Sequence, residues 1–242
     1  MNWRRRAAIM ATAVIVLVGA APARDGRRVE RNRENQIVRV RLPNHQRVVA
    51  LSFDDGPDPR YTPVVLRMLA TYRDRATFFM EGQFVQQHPD LARAVAAQGH
   101  EVANHTWDHP DLRRLDHAAI VHQLERASAA FEAAGLARPA LFRPPKGAFN
   151  AADDLAVRST GLTTAGWTPG LCVEKFVRRR TPDAAMRAMV ARVRPGDILL
   201  AHDGGIPNRG ATLQALPVLL AGLRSRGFKV VTVAELLRLA RS

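Results

Sequence analysis

The chain has 242 residues, a formal net charge of +14 and 47% hydrophobic residues, which allows one large domain or two small ones with a sizeable core. Its only cysteine is Cys172, so an intramolecular disulfide is excluded. The positive charge favours polyanionic surroundings such as wall polymers, but no nucleic-acid motif accompanies it, so we expect no nucleic-acid partner.

The first 23 residues have the pattern of a secretory signal peptide. Three arginines at positions 4–6 precede an apolar run at residues 7–20, and Ala21-Pro22-Ala23 is a typical cleavage site. The apolar run is shorter than the roughly 20 residues that cross a bilayer, which disfavours the alternative of an uncleaved anchor. We expect export to the periplasm, the cell wall or the medium, with no integral membrane span in the mature chain.

Residues 24–46 are predicted to form a basic N-terminal arm, and residues 47–242 are predicted to form the main domain. From residue 24 to 35 the chain is dominated by Arg, Glu, Asp and Asn, which predicts a flexible segment. Residues 36–42 alternate apolar and arginine side chains, which is typical of a short edge strand.

Strands and helices alternate through the predicted domain. Apolar runs predict strands at residues 48–53, 76–80, 101–103, 140–142, 162–167, 198–201 and 229–233. Helical periodicity predicts helices at residues 62–71, 84–98, 116–134, 151–159, 181–193, 213–224 and 234–241. This alternation predicts parallel strands with right-handed crossovers. Because no Gly-rich dinucleotide fingerprint is present, we predict an α/β fold of the irregular (β/α)7–8 barrel type rather than an open doubly wound sheet.

Distinctive polar residues follow the predicted strands, at the end where barrel enzymes carry their chemistry. They are Asp54 and Asp55 after the first barrel strand, His105 and His109 after the third, Arg143 after the fourth, Trp167 after the fifth and His202 after the sixth. Scattered polar residues would not collect at one end of so many strands. We therefore expect these side chains to form one site.

Two adjacent carboxylates, Asp54 and Asp55, end the buried run at residues 48–53. Like charges at close range repel, and both carboxylates lose hydration unless a neighbour compensates. A metal ion would compensate, with one acid as its ligand and the other free for a different role. The alternative is an ordinary turn, since Asp, Gly and Pro are common turn residues.

His105 and His109 have the i, i+4 spacing that places two imidazoles on one side of a helical turn. With Asp55 they offer two nitrogens and one oxygen to a divalent metal, and they leave positions open for water and substrate. The alternative for the pair alone is two surface histidines on a loop. In combination with the two aspartates, the spacing favours a catalytic metal site.

Five segments resemble, in order, the motifs of the NodB-homology polysaccharide deacetylases, carbohydrate esterase family 4 (CE4). They are Ser52-Phe-Asp-Asp-Gly-Pro57, His105-Thr-Trp-Asp-His109, Phe142-Arg-Pro-Pro-Lys-Gly147, Gly166-Trp167 and Ile198-Leu-Leu-Ala-His-Asp-Gly204. The resemblance runs from residue 48 to 239. It implies a deformed TIM-like barrel and an enzyme that hydrolyses carbon–nitrogen bonds other than peptide bonds. The expected reaction is metal-dependent removal of N-acetyl groups from amino-sugar polymers, such as peptidoglycan or chitin-like oligomers.

Carried onto this chain, the resemblance implies that Asp55, His105 and His109 hold the metal. Zinc is the first candidate, and cobalt, nickel and manganese are the others. Asp54 would be the general base, and His202 would be the general acid that protonates the leaving amine. The expected partner is an acetylated polysaccharide, and we expect a monomer.

The resemblance also implies that Arg143 positions Asp54 and balances its charge. A backbone N–H near Lys146 would stabilise the developing oxyanion. Pro145, Lys146 and Trp167 are the candidate substrate-binding residues. Lys146 departs from the family pattern, in which an aromatic residue usually follows the second proline, so a cation is added here.

The fourth motif departs further, because no Asp aligns with the acid that tunes the catalytic histidine in the family. Glu174 is the candidate in this chain, and the tuning of His202 stays open. Two alternatives to N-deacetylation follow. One is hydrolysis of O-acetyl esters on a polysaccharide such as xylan. The other is an inactive homologue that binds the wall.

Overall fold

The computed structural model describes residues 28–43, 46–177, 181–205 and 209–241. Its strands are β1 Val29–Arg31, β2 Ile37–Val40, β3 Val48–Gly56, β4 Thr77–Met80, β5 Glu101–Asn104, β6 Leu141–Phe142, β7 Thr163–Thr164, β8 Ile198–His202 and β9 Lys229–Val231. Its helices are α1 Thr62–Tyr72, α2 Gly82–Gln87, α3 Pro89–Ala97, α4 His117–Ala133, α5 Ala151–Ser159, α6 Val173–Val177, α7 Pro182–Arg192, α8 Gly210–Gln214, α9 Leu216–Ser225 and α10 Val233–Arg241. The predicted signal peptide lies outside the described residues.

β3 pairs with three strands, β4, β8 and β9, in a parallel sheet with the order β7-β6-β5-β4-β3-β8. β9 pairs with the first residues of β3, and β4 pairs with its last residues. All nine residues of β3 are buried, as expected for a parallel strand covered on both faces. Within the core, the rings of Phe53 and Phe78 stack with their centres 5.1 Å apart.

The sheet curls into a partial barrel, and isolated bridges to β2 connect the backbone beside its two outer strands. After β7, Ala165 forms a bridge with Ile37 of β2. On the other side, Arg39 of β2 forms a bridge with Asp197, which directly precedes β8. The predicted irregular α/β barrel is therefore confirmed, and β2 helps to span the gap between β7 and β8.

β1 lies within the segment predicted to be flexible, and it pairs with β2 in antiparallel orientation. The Glu30 carboxylate lies 3.1 Å from the Arg41 guanidinium and 3.6 Å from that of Arg39. Charged side chains thus pair across the two strands. The composition of residues 24–35 does not predict this pairing, because the partner strand β2 lies outside that segment.

The helix predicted at residues 84–98 is two helices, α2 and α3. His88 separates them with φ −131° and ψ 56°, which is not helical. Pro89 explains the break, since proline restricts the residue before it and is tolerated at the first turn of the next helix. Within the described part of the chain, no helix has the length and apolar character needed to cross a bilayer.

Candidate active site

Asp54 and Asp55 both reach the site because the end of β3 is irregular. In a regular strand, neighbouring side chains point to opposite faces. Here the register with β4 shifts between Asp54 and Gly56, and Asp55 has a φ of 73°. As a result, His105 Nε2 lies 3.4 Å from Asp55 Oδ1 and 4.0 Å from Asp54 Oδ2.

The loop after β8 lies directly on Asp55, and two glycines permit this approach. A Cβ at Gly204 would be 2.1 Å from the Asp55 carbonyl oxygen, and one at Gly205 would be 2.5 Å from Asp55 Oδ2. Gly205 also has a φ of 84°, a conformation that glycine adopts at no steric cost. These glycines therefore bring the loop that follows His202 against Asp55.

His105 and His109 come together in a loop, so the predicted helical turn is wrong. Thr106 and His109 have φ values of 71° and 59°, which a helix does not allow. Side chains hold the loop: Asn104 Oδ1 accepts a hydrogen bond from the Thr106 N–H, and Thr106 Oγ1 accepts one from the His109 N–H. Such local side-chain bonds compete with helical backbone bonds, and here they, rather than a helix, bring the two histidines of the i, i+4 pair together.

The donor atoms of Asp55, His105 and His109 fit a single divalent cation, since they lie within 4.8 Å of one another. His105 Nδ1 donates to the Arg143 carbonyl oxygen at 2.8 Å, so Nε2, on the side of Asp55, is the nitrogen that is free to bind a metal when the imidazole is neutral. Burial opposes ionisation of Asp55, but the neighbouring histidines outweigh it and hold the pKa of Asp55 below its usual range. A charged carboxylate and free imidazole nitrogens are the donors that such an ion requires.

Arg143 is fully buried and holds Asp54. Its Nη1 donates to Asp54 Oδ1 at 2.7 Å and to Ser52 Oγ at 2.8 Å. Its remaining nitrogens donate to the carbonyl oxygens of Ala165 and Gly166. A buried cation is costly unless its hydrogen bonds are satisfied, and here each guanidinium nitrogen has an acceptor. The ion pair between Arg143 and Asp54 holds Oδ1 of the carboxylate, and Oδ2 takes no part in that hydrogen bond.

His202 ends β8, and its Cα is paired with that of Asp54 on β3. Its Nδ1 lies 2.9 Å from Glu174 Oε2, which α6 supplies from the segment after the fourth motif. Burial lowers the pKa of His202, but the Glu174 carboxylate, with those of Asp54 and Asp55, outweighs burial and raises it. Glu174, the candidate named from the sequence, is therefore the carboxylate that lies beside His202.

The family model described as polysaccharide deacetylase matches residues 41–165. The chain belongs to this family. A peptidoglycan-N-acetylglucosamine deacetylase from Bacillus cereus is 37% identical over 207 residues, which cover 81% of this chain and 91% of the relative. A chitooligosaccharide deacetylase from Bradyrhizobium sp. is 38% identical over 202 residues, covering 78% and 90%.

The polysaccharide deacetylase fold also matches the crystal structure of a CE4 family pseudoenzyme from Bacillus anthracis. The TM-score is 0.74 at 28% identity, with 84% of this chain and 69% of that chain covered. The predicted family, fold and enzyme class, a hydrolase of carbon–nitrogen bonds, are thus confirmed. The roles of individual residues stay predictions.

Within the candidate site, Arg209 is a buried cation that the sequence does not single out. Its Nη2 lies 3.3 Å from Asp55 Oδ2, and its Nη1 lies 3.5 Å from Glu174 Oε1. Its Nε donates to the Gly204 carbonyl oxygen at 3.1 Å. Arg209 thus connects the aspartate beside the histidines with the carboxylate beside His202. In an arginine-rich chain, no spacing distinguishes it.

Glu81 is a second residue that the sequence analysis missed. It directly follows β4, is 4% exposed and accepts a hydrogen bond from Gln83 Nε2 at 2.7 Å. Burial raises the pKa of Glu81 to about 7. The rule that polar residues follow barrel strands would have found it, because it is the first residue after the predicted strand at 76–80.

The three candidate substrate-binding residues differ in whether they line a cavity. Lys146 and Trp167 line a cavity of about 300 Å³, whereas Pro145 is buried and is not among the lining residues. A second cavity, of about 390 Å³, borders Asp55 and Gly205.

Proposed function

We propose that the chain hydrolyses N-acetyl groups of amino-sugar polymers such as peptidoglycan or chitin-like oligomers. The observation that carries this proposal is the position of Asp54, beside the metal-ligand candidates and beside His202. Asp54 Oδ2 lies 4.0 Å from His105 Nε2, and the Cα atoms of Asp54 and His202 are paired across β3 and β8. A base and an acid next to a metal site are what amide hydrolysis requires.

Asp55, His105 and His109 would hold a divalent cation. Two imidazole nitrogens and one carboxylate oxygen suit zinc, our first proposal, and also cobalt, nickel and manganese. When bound, such an ion polarises the acetyl carbonyl and makes water a stronger nucleophile at neutral pH.

Asp54 would accept the proton of the attacking water. A general base must be held within reach of that proton, and the 2.7 Å ion pair with Arg143 restricts the carboxylate. Because Arg143 occupies Oδ1, Oδ2 is the oxygen that would receive the proton. Arg143 would stay charged throughout and balance Asp54.

His202 would donate a proton to the leaving amine nitrogen. The Glu174 carboxylate favours the protonated imidazole, which is the form that a general acid needs. The Lys146 backbone N–H would donate to the acetyl oxygen as negative charge develops on it.

The named activities of the two curated relatives support the amino-sugar substrate, since both are N-deacetylases. The O-acetyl alternative keeps the same residues and changes only the bond that is hydrolysed. Esters are easier to hydrolyse than amides, so this alternative asks no more of the site. Similarity to a pseudoenzyme motivates the inactive alternative. The 2.9 Å contact between Glu174 and His202 argues against it, because the acid side of the site has its carboxylate.

The test is acetate release by the purified chain from N-acetylglucosamine oligomers and from acetylated xylan. We expect release from the amino-sugar oligomers, loss after chelation and recovery with zinc, together with about one ion per chain by mass spectrometry. Acetate release from acetylated xylan, with none from the amino-sugar oligomers, would show an esterase. Binding of polymer without acetate release, whichever of the four metals is supplied, would show an inactive homologue.

We also propose that residues 1–23 direct export and are removed, that residues 24–46 form the basic arm with its short strand, and that residues 47–242 form the deacetylase domain. The basis is the order of basic, apolar and small residues at positions 4–23. N-terminal sequencing of the exported protein checks the cleavage, and Arg24 is the expected first residue.

A further inference from the structure

Lysine is rare in this chain, yet two of its three lysines line one cavity beside the candidate active site. The cavity has a volume of about 300 Å³ and includes Lys146, Trp167 and Lys175. Its other lining residues are uncharged: Asn32, Gln36, Val38, Gly147, Pro169 and Gly170. Among the described residues, this cavity therefore has cationic side chains and no carboxylate in its lining.

The cavity adjoins the candidate catalytic groups on two sides. The centre of the Trp167 ring lies 5.9 Å from Cζ of Arg143, the partner of the candidate base. Lys175 directly follows Glu174, whose carboxylate lies 2.9 Å from His202 Nδ1. A sugar in this cavity would therefore be a neighbour of the sugar that reacts.

The loop that carries Lys146 is held against the Trp167 ring. A Cβ at Gly147 would lie 2.8 Å from Trp167 Cη2, so only glycine permits this contact. Lys146 itself has φ 59° and ψ 7°, a conformation disfavoured for residues with a Cβ. A strained residue with an exposed charged side chain, next to a reaction site, is more consistent with a binding role than with a packing role.

We propose that this cavity is a subsite for a sugar that carries a carboxylate, next to the acetylated amino sugar. The proposal rests on the function proposed above and narrows its substrate to an acidic amino-sugar polymer. Lys146 and Lys175 would bind the carboxylate, and Trp167 would contact the apolar face of the sugar ring. The carboxylate belongs either to a lactyl ether, as in muramic acid, or to a uronic acid.

The test is calorimetric binding in the Asp54→Asn background, in which the ligand is not consumed. The ligands are oligomers in which N-acetylglucosamine alternates with N-acetylmuramic acid or with glucuronic acid, each compared with its carboxyl methyl ester. We expect one acid to bind about tenfold more tightly than its ester, as for a charge-assisted contact, with a smaller difference at high salt. Which acid shows the difference identifies the source of the carboxylate.

Substitution of both Lys146→Met and Lys175→Met should remove the difference between acid and ester. The control is Lys229→Met, because Lys229 is exposed and lies 3.4 Å from Glu235, outside the cavity lining. Equal binding of acid and ester by the starting protein would overturn the subsite, and so would a preference that survives the double substitution. Acetate release from neutral N-acetylglucosamine oligomers tests the proposed function separately, so each proposal can fail alone.

Discussion

The candidate site has two halves, one on each side of Asp54, and the chain builds them differently. The metal half consists of Asp55, His105 and His109, which come from the ends of two strands and the short loop after one of them. The acid half consists of His202, Glu174 and Arg209, which come from β8, the short helix α6 and the segment before α8.

The difference shows which parts of the site depend on local sequence. In the metal half, a bulge positions Asp55, and one short loop carries both histidines, which their H-x-x-x-H spacing marks in the sequence. In the acid half, no motif marks Glu174 or Arg209, although Glu174 lies 2.9 Å from His202. Arg209 contacts both halves, at 3.3 Å from Asp55 and 3.5 Å from Glu174. Substitutions can therefore separate metal binding from proton transfer.

The largest effect is expected for Asp54→Asn, the residue between the halves. We expect kcat to fall at least about a thousandfold, because the base is lost, while the metal content stays unchanged. His105→Ala is the matched contrast, and it should lose the metal. Acetate release and metal analysis of both variants check this. Loss of metal from Asp54→Asn would mean that the two aspartates have exchanged roles.

Glu174→Gln should affect the acid half alone. The carboxylate raises the pKa of His202, so its removal lowers that pKa and moves the alkaline limb of the activity profile to lower pH. We expect a loss of about tenfold to a hundredfold in kcat above neutral pH, with metal content retained. Glu132→Gln, at an exposed residue, is the control. An unchanged alkaline limb would exclude Glu174 as the group that tunes His202.

The sequence predicted the framework of the site well, for a physical reason. Buried parallel strands are apolar runs, and their carboxyl ends meet at one edge, so Asp54, Arg143 and His202 were expected together. The break before Pro89 was also available from the sequence, because proline restricts the residue before it. Glu81 follows the same strand-end rule, because it is the first residue after the predicted strand at residues 76–80.

The contacts of Glu174 and Arg209 were not predictable in the same way. α6 is five residues long, too short for a clear helical period, and its orientation depends on packing against β8 and α7. Arg209 reaches Asp55 and Glu174 through tertiary contacts that no motif in the sequence marks. Similarly, the αL conformation of His109 arises from side-chain bonds that the H-x-x-x-H spacing does not encode.

Arg209→Met should have a smaller effect that reaches both halves. The substitution leaves Asp55 and Glu174 without their shared cation, and we expect activity to fall about tenfold through misplacement of the two carboxylates. Arg209→Lys should restore part of the activity, and the shape of the pH profile should change in Arg209→Met. A loss of thermal stability with an unchanged profile and unchanged kcat would contradict this positioning role. Arg138→Met, at a surface ion pair with Glu125, is the control.

The smallest effect on activity is expected from His100, which belongs to neither half. His100 is buried, its Nδ1 accepts a hydrogen bond from the Ala76 N–H, and burial lowers the pKa of His100 from 6.5 to about 4. As the pH falls, His100 therefore binds a proton at a higher pH in the unfolded chain than in the folded protein. The free energy of unfolding should be fully retained above about pH 6.5 and decrease by up to about 3 kcal/mol towards pH 4.

Urea unfolding of the starting protein and of His100→Gln, at about pH 7.5 and pH 4.5, checks this prediction. The difference between the two proteins isolates His100 from the histidines of the site, which both share. We expect a smaller loss of stability on acidification in His100→Gln, and an alkaline limb of activity at the same pH in both. If the alkaline limb of activity shifted in His100→Gln, that limb could no longer be assigned to His202.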